Sequence, residues 1–155
     1  MKYFLDTEFN GFGGDLISLA LVSQEGREIY VATQCPSPAE WVKDNVLPII
    51  KCEGTDPYIC DVELFGRLVA WYLHTDPDPV IVADWPDDIK YLCQILITGP
   101  GEMVDIPRLR FELVRVDAYP TNLVGAIQHN ALWDARALKA KLTERRSLPP
   151  GVHCA

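Results

Sequence analysis

Two carboxylates, Asp6 and Glu8, stand two residues apart at the end of a short apolar run that starts near Lys2. Alternate side chains of a β-strand share a face, so these two carboxylates point in the same direction. Like charges at that separation repel each other unless one is protonated or a cation lies between them. A hard divalent cation with oxygen ligands would remove the repulsion. The alternative is a strand that ends in a solvated acidic turn, so the pair predicts a metal site only if the chain supplies further ligands.

A second group of acids follows the apolar segment 80–83 and consists of Asp84, Asp87 and Asp88. Open α/β sheets bind ligands at the carboxyl ends of their strands, so acids in this place face the expected crevice. Aspartate is also common at the N-cap and in the first turn of a helix, where it needs no catalytic role. We expect at least one of the three to serve only that local purpose.

A third group opens the last helical segment, where Asp134 follows His129 by five residues. Histidine ionises near neutral pH, so a functional role is one reading of His129. A histidine with satisfied hydrogen bonds on the surface or in the core is the structural alternative. The spacing alone is too common to decide between the two readings.

The composition, with 48% hydrophobic and 23% charged residues, is that of an ordinary soluble globular protein. The length of 155 residues is typical of one domain. We therefore predict a single domain over 1–155. No apolar stretch reaches the roughly 20 residues that span a bilayer, and the N-terminal residues lack a secretory signal pattern. The five cysteines show no C-x-x-C spacing, which favours reduced thiols and a cytoplasmic location.

The formal net charge of −8 bears on nucleic-acid binding, because phosphate-binding surfaces are usually basic. Carboxylates that hold divalent cations are locally much less negative than the sequence suggests. The charge therefore counts against tight non-specific binding without excluding a small catalytic footprint.

Periodicity predicts an α/β protein with a mixed sheet. Three antiparallel strands come first, joined by a hairpin at 24–26. Helices and further strands then alternate. The predicted strands are 2–6, 15–23, 27–32, 80–83 and one within 108–116, and the predicted helices are 38–50, 61–74, 89–97 and 131–142.

In order and spacing, the segments 4–8, 82–89 and 129–135 resemble the three motifs of the DEDD superfamily of 3′–5′ exonucleases, in its histidine-containing DEDDh branch. Asp88 aligns with the catalytic carboxylate of the second motif. Asp84 stands where the family usually has asparagine, which leaves Asp84 as the alternative ligand. The resemblance spans nearly the whole chain. The small size, the Asp-Thr-Glu-Phe opening and segment 92–94 resemble the compact bacterial and phage exoribonucleases that include the polyadenylate-specific enzyme.

The resemblance implies a three-layer, ribonuclease-H-like fold and an exonuclease site with two Mg²⁺ ions or, as a substitute, Mn²⁺. The implied metal ligands are Asp6, Glu8, Asp88 and Asp134. His129 would act as the general base for the attacking water. Members of this type often form homodimers, which we expect here at the level of the family alone.

Three substrate-binding positions follow Glu8 in the chain. By the same resemblance, Phe9 is expected to stack on the terminal base, with core packing as the equal alternative, and the backbone at Asn10 and Gly11 is expected to approach the nucleotide closely. Trp85 and Trp133 are expected to pack rather than to contact bases. The favoured function is 3′–5′ hydrolysis of single-stranded RNA ends without membrane association. The alternatives are a DNA-directed proofreading or repair exonuclease and a non-catalytic nucleic-acid-binding module.

Overall fold

The strands and helices alternate much as the periodicity indicates. A computed structural model describes residues 1–116 and 123–147, with the backbone alone for 144–147. The strands are β1 (Lys2–Phe9), β2 (Leu16–Ser23), β3 (Glu28–Ala32), β4 (Tyr58–Ile59), β5 (Val80–Ala83), β6 (Ile97–Gly99), β7 (Glu102–Met103) and β8 (Arg110–Leu113). The α-helices are α1 (Glu40–Asn45), α2 (Phe65–Leu73), α3 (Pro86–Leu96) and α4 (Ala131–Ser147), and short 3-10 turns lie at Leu47–Ile49 and Val62–Leu64.

A six-stranded sheet with the order β4-β3-β2-β1-β5-β8 forms the centre of the described structure. β1, β2 and β3 are antiparallel neighbours. β5 runs parallel to β1 and β8 parallel to β5, while β4 runs parallel to β3. The predicted mixed sheet with three antiparallel N-terminal strands is therefore confirmed. β1 lies in the interior of the sheet, which places its end among several neighbouring elements.

The two faces of β1 are covered by different helices. Tyr3 and Leu5 are fully buried in a cluster that includes Phe65 of α2 and Leu92 of α3. Phe4 points the other way and packs with Leu138 of α4. Each such side chain contributes roughly 1.5–3 kcal/mol through removal of its apolar surface from water. The helices thus enclose the sheet as outer layers, which is consistent with the three-layer, ribonuclease-H-like fold.

A β-bulge interrupts the pairing of β1 with β2 beside the acidic end of β1. Glu8 is opposite Ser18, whereas Phe9 is opposite Leu16, so Ile17 is the extra residue. Ile17 leaves the main core cluster and packs against α1. Bulges bend the strand and re-aim side chains, and they are frequent next to active sites.

The predicted helix over 38–50 is wrong in its extent. α1 covers only Glu40–Asn45, and a 3-10 turn follows at Leu47–Ile49. Pro48 explains the break, because proline lacks an N–H donor and its ring clashes with the carbonyl four residues earlier in an α-helix. Pro38 lies before the helix rather than at its first turn.

Smaller differences concern the ends of three predicted elements and the shortest strands. β1 extends to Phe9, α3 begins at Pro86 instead of Ile89, and α4 runs on to Ser147. β4 and the β6–β7 hairpin were not predicted, because two or three residues are too few to establish a period. Within the described ranges, no helix combines the length and the apolar character needed to cross a membrane.

Gly66→Ala is expected to destabilise the protein, although Gly→Ala in an exposed helix usually stabilises by up to about 1 kcal/mol. A Cβ at Gly66 would lie 2.0 Å from the backbone oxygen of Ile95, so α2 and α3 would have to move apart. Urea denaturation should show a loss of about 1–3 kcal/mol. The control is Arg67→Ala, an exposed neighbour on α2 that should change stability by less than about 0.5 kcal/mol. An unchanged or higher stability of Gly66→Ala would contradict the described packing.

Candidate active site

The ends of β1 and β5 open into a cleft with a volume of about 570 Å³. Because these two strands are parallel, their carboxyl ends meet at the same edge of the sheet. α1, the first turn of α3 and the start of α4 form the other walls. The predicted catalytic residues all line the cleft, together with the alternative ligand of the second motif: Asp6, Glu8, Asp84, Asp88, His129 and Asp134.

Within the cleft the acids and the histidine form two groups. Asp6, Asp84 and Asp88 each offer an oxygen within 4.8 Å of the others. Glu8, His129 and Asp134 form a second group within the same limit. The three sequence motifs therefore converge, and proximity alone does not decide between Asp84 and Asp88 as the second-motif ligand.

Asp88 is held to β1 by hydrogen bonds from a single residue. The backbone N–H of Thr7 donates to Asp88 Oδ1 at 3.0 Å, and the Thr7 hydroxyl donates to the same oxygen at 2.6 Å. Asp88 is buried in the first turn of α3. Its neighbour Asp87 is used locally instead, since it accepts hydrogen bonds from Trp85 Nε1 and Lys90 Nζ. Asp87 is thus the aspartate that serves a local purpose in the first turn of α3, as was expected for at least one of the three.

The third motif is shaped by Asn130, a residue that the sequence analysis did not single out. Asn130 Oδ1 accepts a hydrogen bond from the backbone N–H of Trp133 at 3.1 Å, which is an N-cap of α4. Its Nδ2 donates to the backbone oxygen of Ile49 at 2.7 Å. Asp134 in turn accepts the backbone N–H of His129 at 2.9 Å. As in a capping box, one side chain before the helix accepts an N–H from the first turn, and one side chain of the first turn accepts an N–H from before the helix. The sequence signal for this arrangement is an asparagine directly before the last helix.

His129 has an unusual backbone conformation, with a φ of 67° in the left-handed region. Histidine, asparagine and aspartate enter this region more readily than most non-glycine residues. The imidazole ring contacts Trp41 edge-to-face, with ring centroids 4.9 Å apart. Partial burial lowers the pKa of His129 below its ordinary value. A lowered pKa favours the neutral ring, which is the form that can accept a proton.

Burial and mutual repulsion raise the pKa values of the cleft acids. The pKa of Glu8 is raised to about 8, first by burial and then by the charges of Asp134 and Asp88. Burial is also the main cause that raises the pKa of Asp88 to about 7, against the hydrogen bonds from Thr7. For Asp6 the same burial and four neighbouring acids raise the pKa well above its ordinary value.

The donor set fits hard divalent cations. The carboxylates supply oxygen ligands of the kind that Mg²⁺ prefers. Asp88 Oδ2 is buried, and no described residue donates a hydrogen bond to it. Such an oxygen is costly to bury without a partner, and a cation would satisfy it. Asp6, Glu8, Asp88 and Asp134 could therefore hold metal ions in this cleft, with Asp84 in reach.

The three predicted substrate positions differ in where they lie. Phe9 lines the cleft and also stacks on Tyr91, with ring centroids 4.8 Å apart, so it contacts both the cleft and the core. Gly11 lines the cleft with a φ of 70°. Asn10 is not among the residues that line it. The Asn10 amide instead bonds to the backbone of Ser37 and Ala39 and ties the loop after β1 to the start of α1.

Three exposed aromatic residues of the cleft were missed or misjudged from the sequence. Phe12 is fully exposed, and Trp41 and Trp85 are 54% and 52% exposed. The expectation that Trp85 packs is therefore wrong, because Trp85 forms the N-cap position of α3 and faces the cleft. Trp133 does pack as expected, with its ring beside Arg136 and its Nε1 donating to the backbone oxygen of Glu53.

Comparison with known proteins gives a partial match. Over 53 residues the chain is 42% identical to two proteins named 3′–5′ exoribonuclease, from Mycobacterium tuberculosis strains CDC 1551 and H37Rv. The matched segment covers 31% of this chain and 32% of each relative. The match thus spans about a third of the length of these curated relatives. No protein-family profile matches the chain.

The stability of the metal-free protein is expected to fall as the pH rises from about 4 to about 8. In that interval Glu8 and Asp88 keep protons in the folded state that their ordinary pKa values would have released in the unfolded chain. The folded state then binds more protons than the unfolded state, so the free energy of unfolding decreases with pH. Mg²⁺ should reverse the loss, adding about 2.7 kcal/mol at a hundredfold excess over its Kd. Chemical denaturation with EDTA or Mg²⁺ at several pH values measures both effects.

Asp6→Asn is the control for this pH dependence, because Asp6 is the acid most surrounded by the other carboxylates. The variant should show a weaker decline with pH and a smaller gain from Mg²⁺. A metal-free stability that is flat or rising between pH 4 and 8 would contradict the described electrostatics.

Proposed function

We propose that the chain is a DEDDh-type 3′–5′ exoribonuclease that removes nucleotides from the ends of single-stranded RNA in a metal-dependent reaction. One observation carries the proposal: the five residues that the resemblance assigns to catalysis come from three distant segments and meet in one cleft. These residues are Asp6, Glu8, Asp88, His129 and Asp134. The partial match to proteins named 3′–5′ exoribonuclease supports the same conclusion.

The four carboxylates would hold two Mg²⁺ ions, with Mn²⁺ as a substitute. When bound, such ions activate water as a nucleophile and neutralise charge at the attacked phosphate. His129 would accept a proton from the attacking water, which its lowered pKa allows at neutral pH. Trp41 packs against the ring, and the hydrogen bond from the backbone N–H of His129 to Asp134 fixes the turn that presents it.

A single-stranded substrate suits the walls of the cleft. Exposed aromatic rings bind unpaired bases by stacking, at roughly 1–3 kcal/mol per base, without a strong sequence preference. Phe12, Trp41 and Trp85 offer such rings around the acids. The bases of a duplex are already stacked and paired, so they could not enter between these rings. The cations in the cleft would counter the phosphate charge that an acidic chain otherwise repels.

RNA is preferred over DNA in this proposal because the relatives are named exoribonucleases. A DNA-directed exonuclease would tolerate substrates without a 2′-hydroxyl, whereas a ribonuclease should use that group as donor or acceptor. The homodimer, the cytoplasmic location and the single domain over 1–155 stay predictions.

The wild-type protein is expected to shorten 5′-labelled single-stranded RNA from its 3′ end with Mg²⁺ and not with EDTA. Asp6→Asn should abolish the activity, because it removes the acid that lies among the other carboxylates. His129→Ala should lower turnover by roughly 10²–10⁴ and leave metal binding largely intact. Gel analysis of matched RNA and DNA oligomers measures these outcomes. Shortening of DNA alone would favour the proofreading reading, and binding without shortening of either substrate would favour a non-catalytic module.

Asp88→Asn is expected to lower activity far more than Asp84→Asn. Asp88 is buried and fixed by Thr7, whereas Asp84 is half-buried at the start of the turn that leads to α3. Turnover at several Mg²⁺ concentrations compares the two isosteric substitutions. An active Asp88→Asn together with an inactive Asp84→Asn would transfer the second-motif role to Asp84.

A further inference from the structure

Between the two carboxylates of β1 lies an uncharged residue whose side chain points away from them. Thr7 alternates with Asp6 and Glu8 along the strand, so its side chain lies on the opposite face. It is 5% exposed. The first turn of α3 reaches this side of β1, and the Thr7 hydroxyl meets Asp88 there.

The contact uses one oxygen of Asp88 and leaves the other without a protein donor. Oδ1 accepts both the N–H and the hydroxyl of Thr7, at 3.0 and 2.6 Å. Asp88 is 2% exposed, and no described residue donates a hydrogen bond to Oδ2. An oxygen of Asp88 also lies within 4.8 Å of oxygens of Asp6 and Asp84. The carboxylate is therefore fixed at one oxygen and available at the other.

We propose that Thr7 is a positioning residue, which orients Asp88 so that Oδ2 serves as a metal ligand of the site. The inference rests on the proposed function, because it concerns the same cleft. Groups that hydrogen-bond to metal ligands fix the ligand's orientation, and their loss typically costs 10–100-fold in metal affinity or activity. No side chain among the described residues donates to the Asp84 carboxylate in this way, which makes Asp88 the preorganised acid of the pair.

Threonine suits this position for two independent reasons. Its β-branched side chain is favoured in a strand and restricts χ1, so the hydroxyl has few alternative directions. Its hydroxyl is a donor, and an ionised carboxylate is acceptor-only. Valine has nearly the same shape without the donor, whereas serine retains the donor with a less restricted χ1. The two substitutions therefore separate the hydrogen bond from the shape of the side chain.

Thr7→Val is expected to raise the Kd for Mg²⁺ by 10–100-fold, because the hydroxyl no longer fixes Asp88. Thr7→Ser should bind Mg²⁺ within a few-fold of the wild type. Isothermal titration calorimetry with Mg²⁺ alone measures both, and the Mg²⁺-induced rise in Tm gives a second readout. RNA hydrolysis by Thr7→Val should recover in part at saturating Mg²⁺, which a loss of folding could not produce.

The control for loss of a buried hydroxyl is Ser23→Ala, at the end of β2 opposite Tyr3 and far from the acids. Ser23 is fully buried, and its Oγ accepts the backbone N–H of Arg27 at 2.9 Å. This variant should lose stability with an unchanged Kd for Mg²⁺. A folded Thr7→Val with the wild-type Kd, or a Thr7→Ser as weak as Thr7→Val, would overturn the proposal.

Failure of this inference can be distinguished from failure of the proposed function. If the wild type binds Mg²⁺ through Asp6 but hydrolyses no RNA, a weakened Thr7→Val still supports the positioning role of Thr7. If the wild type hydrolyses RNA and Thr7→Val binds Mg²⁺ equally well, the positioning role is wrong and the exoribonuclease proposal stands.

Discussion

Repulsion among buried carboxylates is the constraint on which this structure depends. Asp6, Glu8 and Asp88 are brought together in a partly buried cleft, and their pKa values rise because burial and the neighbouring acids disfavour the charged forms. A fold can keep such a cluster only if its remaining contacts outweigh the repulsion. The apolar faces of β1 and β2 supply those contacts, because each side of the sheet is covered by helices. The proposed divalent cations would offset this repulsion, so under the proposed function stability is exchanged for metal binding.

Each acid is positioned by a specific local contact or by the geometry of the element that carries it. Strand alternation aims Asp6 and Glu8 at one face, and the bulge at Ile17 bends the sheet beside them. Thr7 connects the opposite side of the same strand to Asp88. The capped start of α4 fixes Asp134. The site therefore arises where three local structures meet, and no single segment could form it alone.

The sequence predicts the period-based features well and the contacts between elements poorly. β2, β5 and α4 follow from apolar periodicity, whereas the three acidic motifs were ambiguous one by one and followed from their joint resemblance to the DEDD exonuclease motifs. The break of α1 was not predicted although Pro48 is visible in the sequence, because the apolar pattern on either side of it continues. The buried role of Asn130 and the exposure of Trp85 depend on how distant segments pack, and a linear pattern contains no information about that packing.

The left-handed backbone at His129 limits what can replace this residue. Glycine, asparagine and aspartate adopt a positive φ with little strain, whereas β-branched residues do not. A chain in which asparagine took this position would retain the turn, the cap of α4 and the cluster of acids. The chemistry of the ring is thus separable from the architecture around it. In descendants of this fold, the imidazole could disappear while the fold and its cluster of acids persisted.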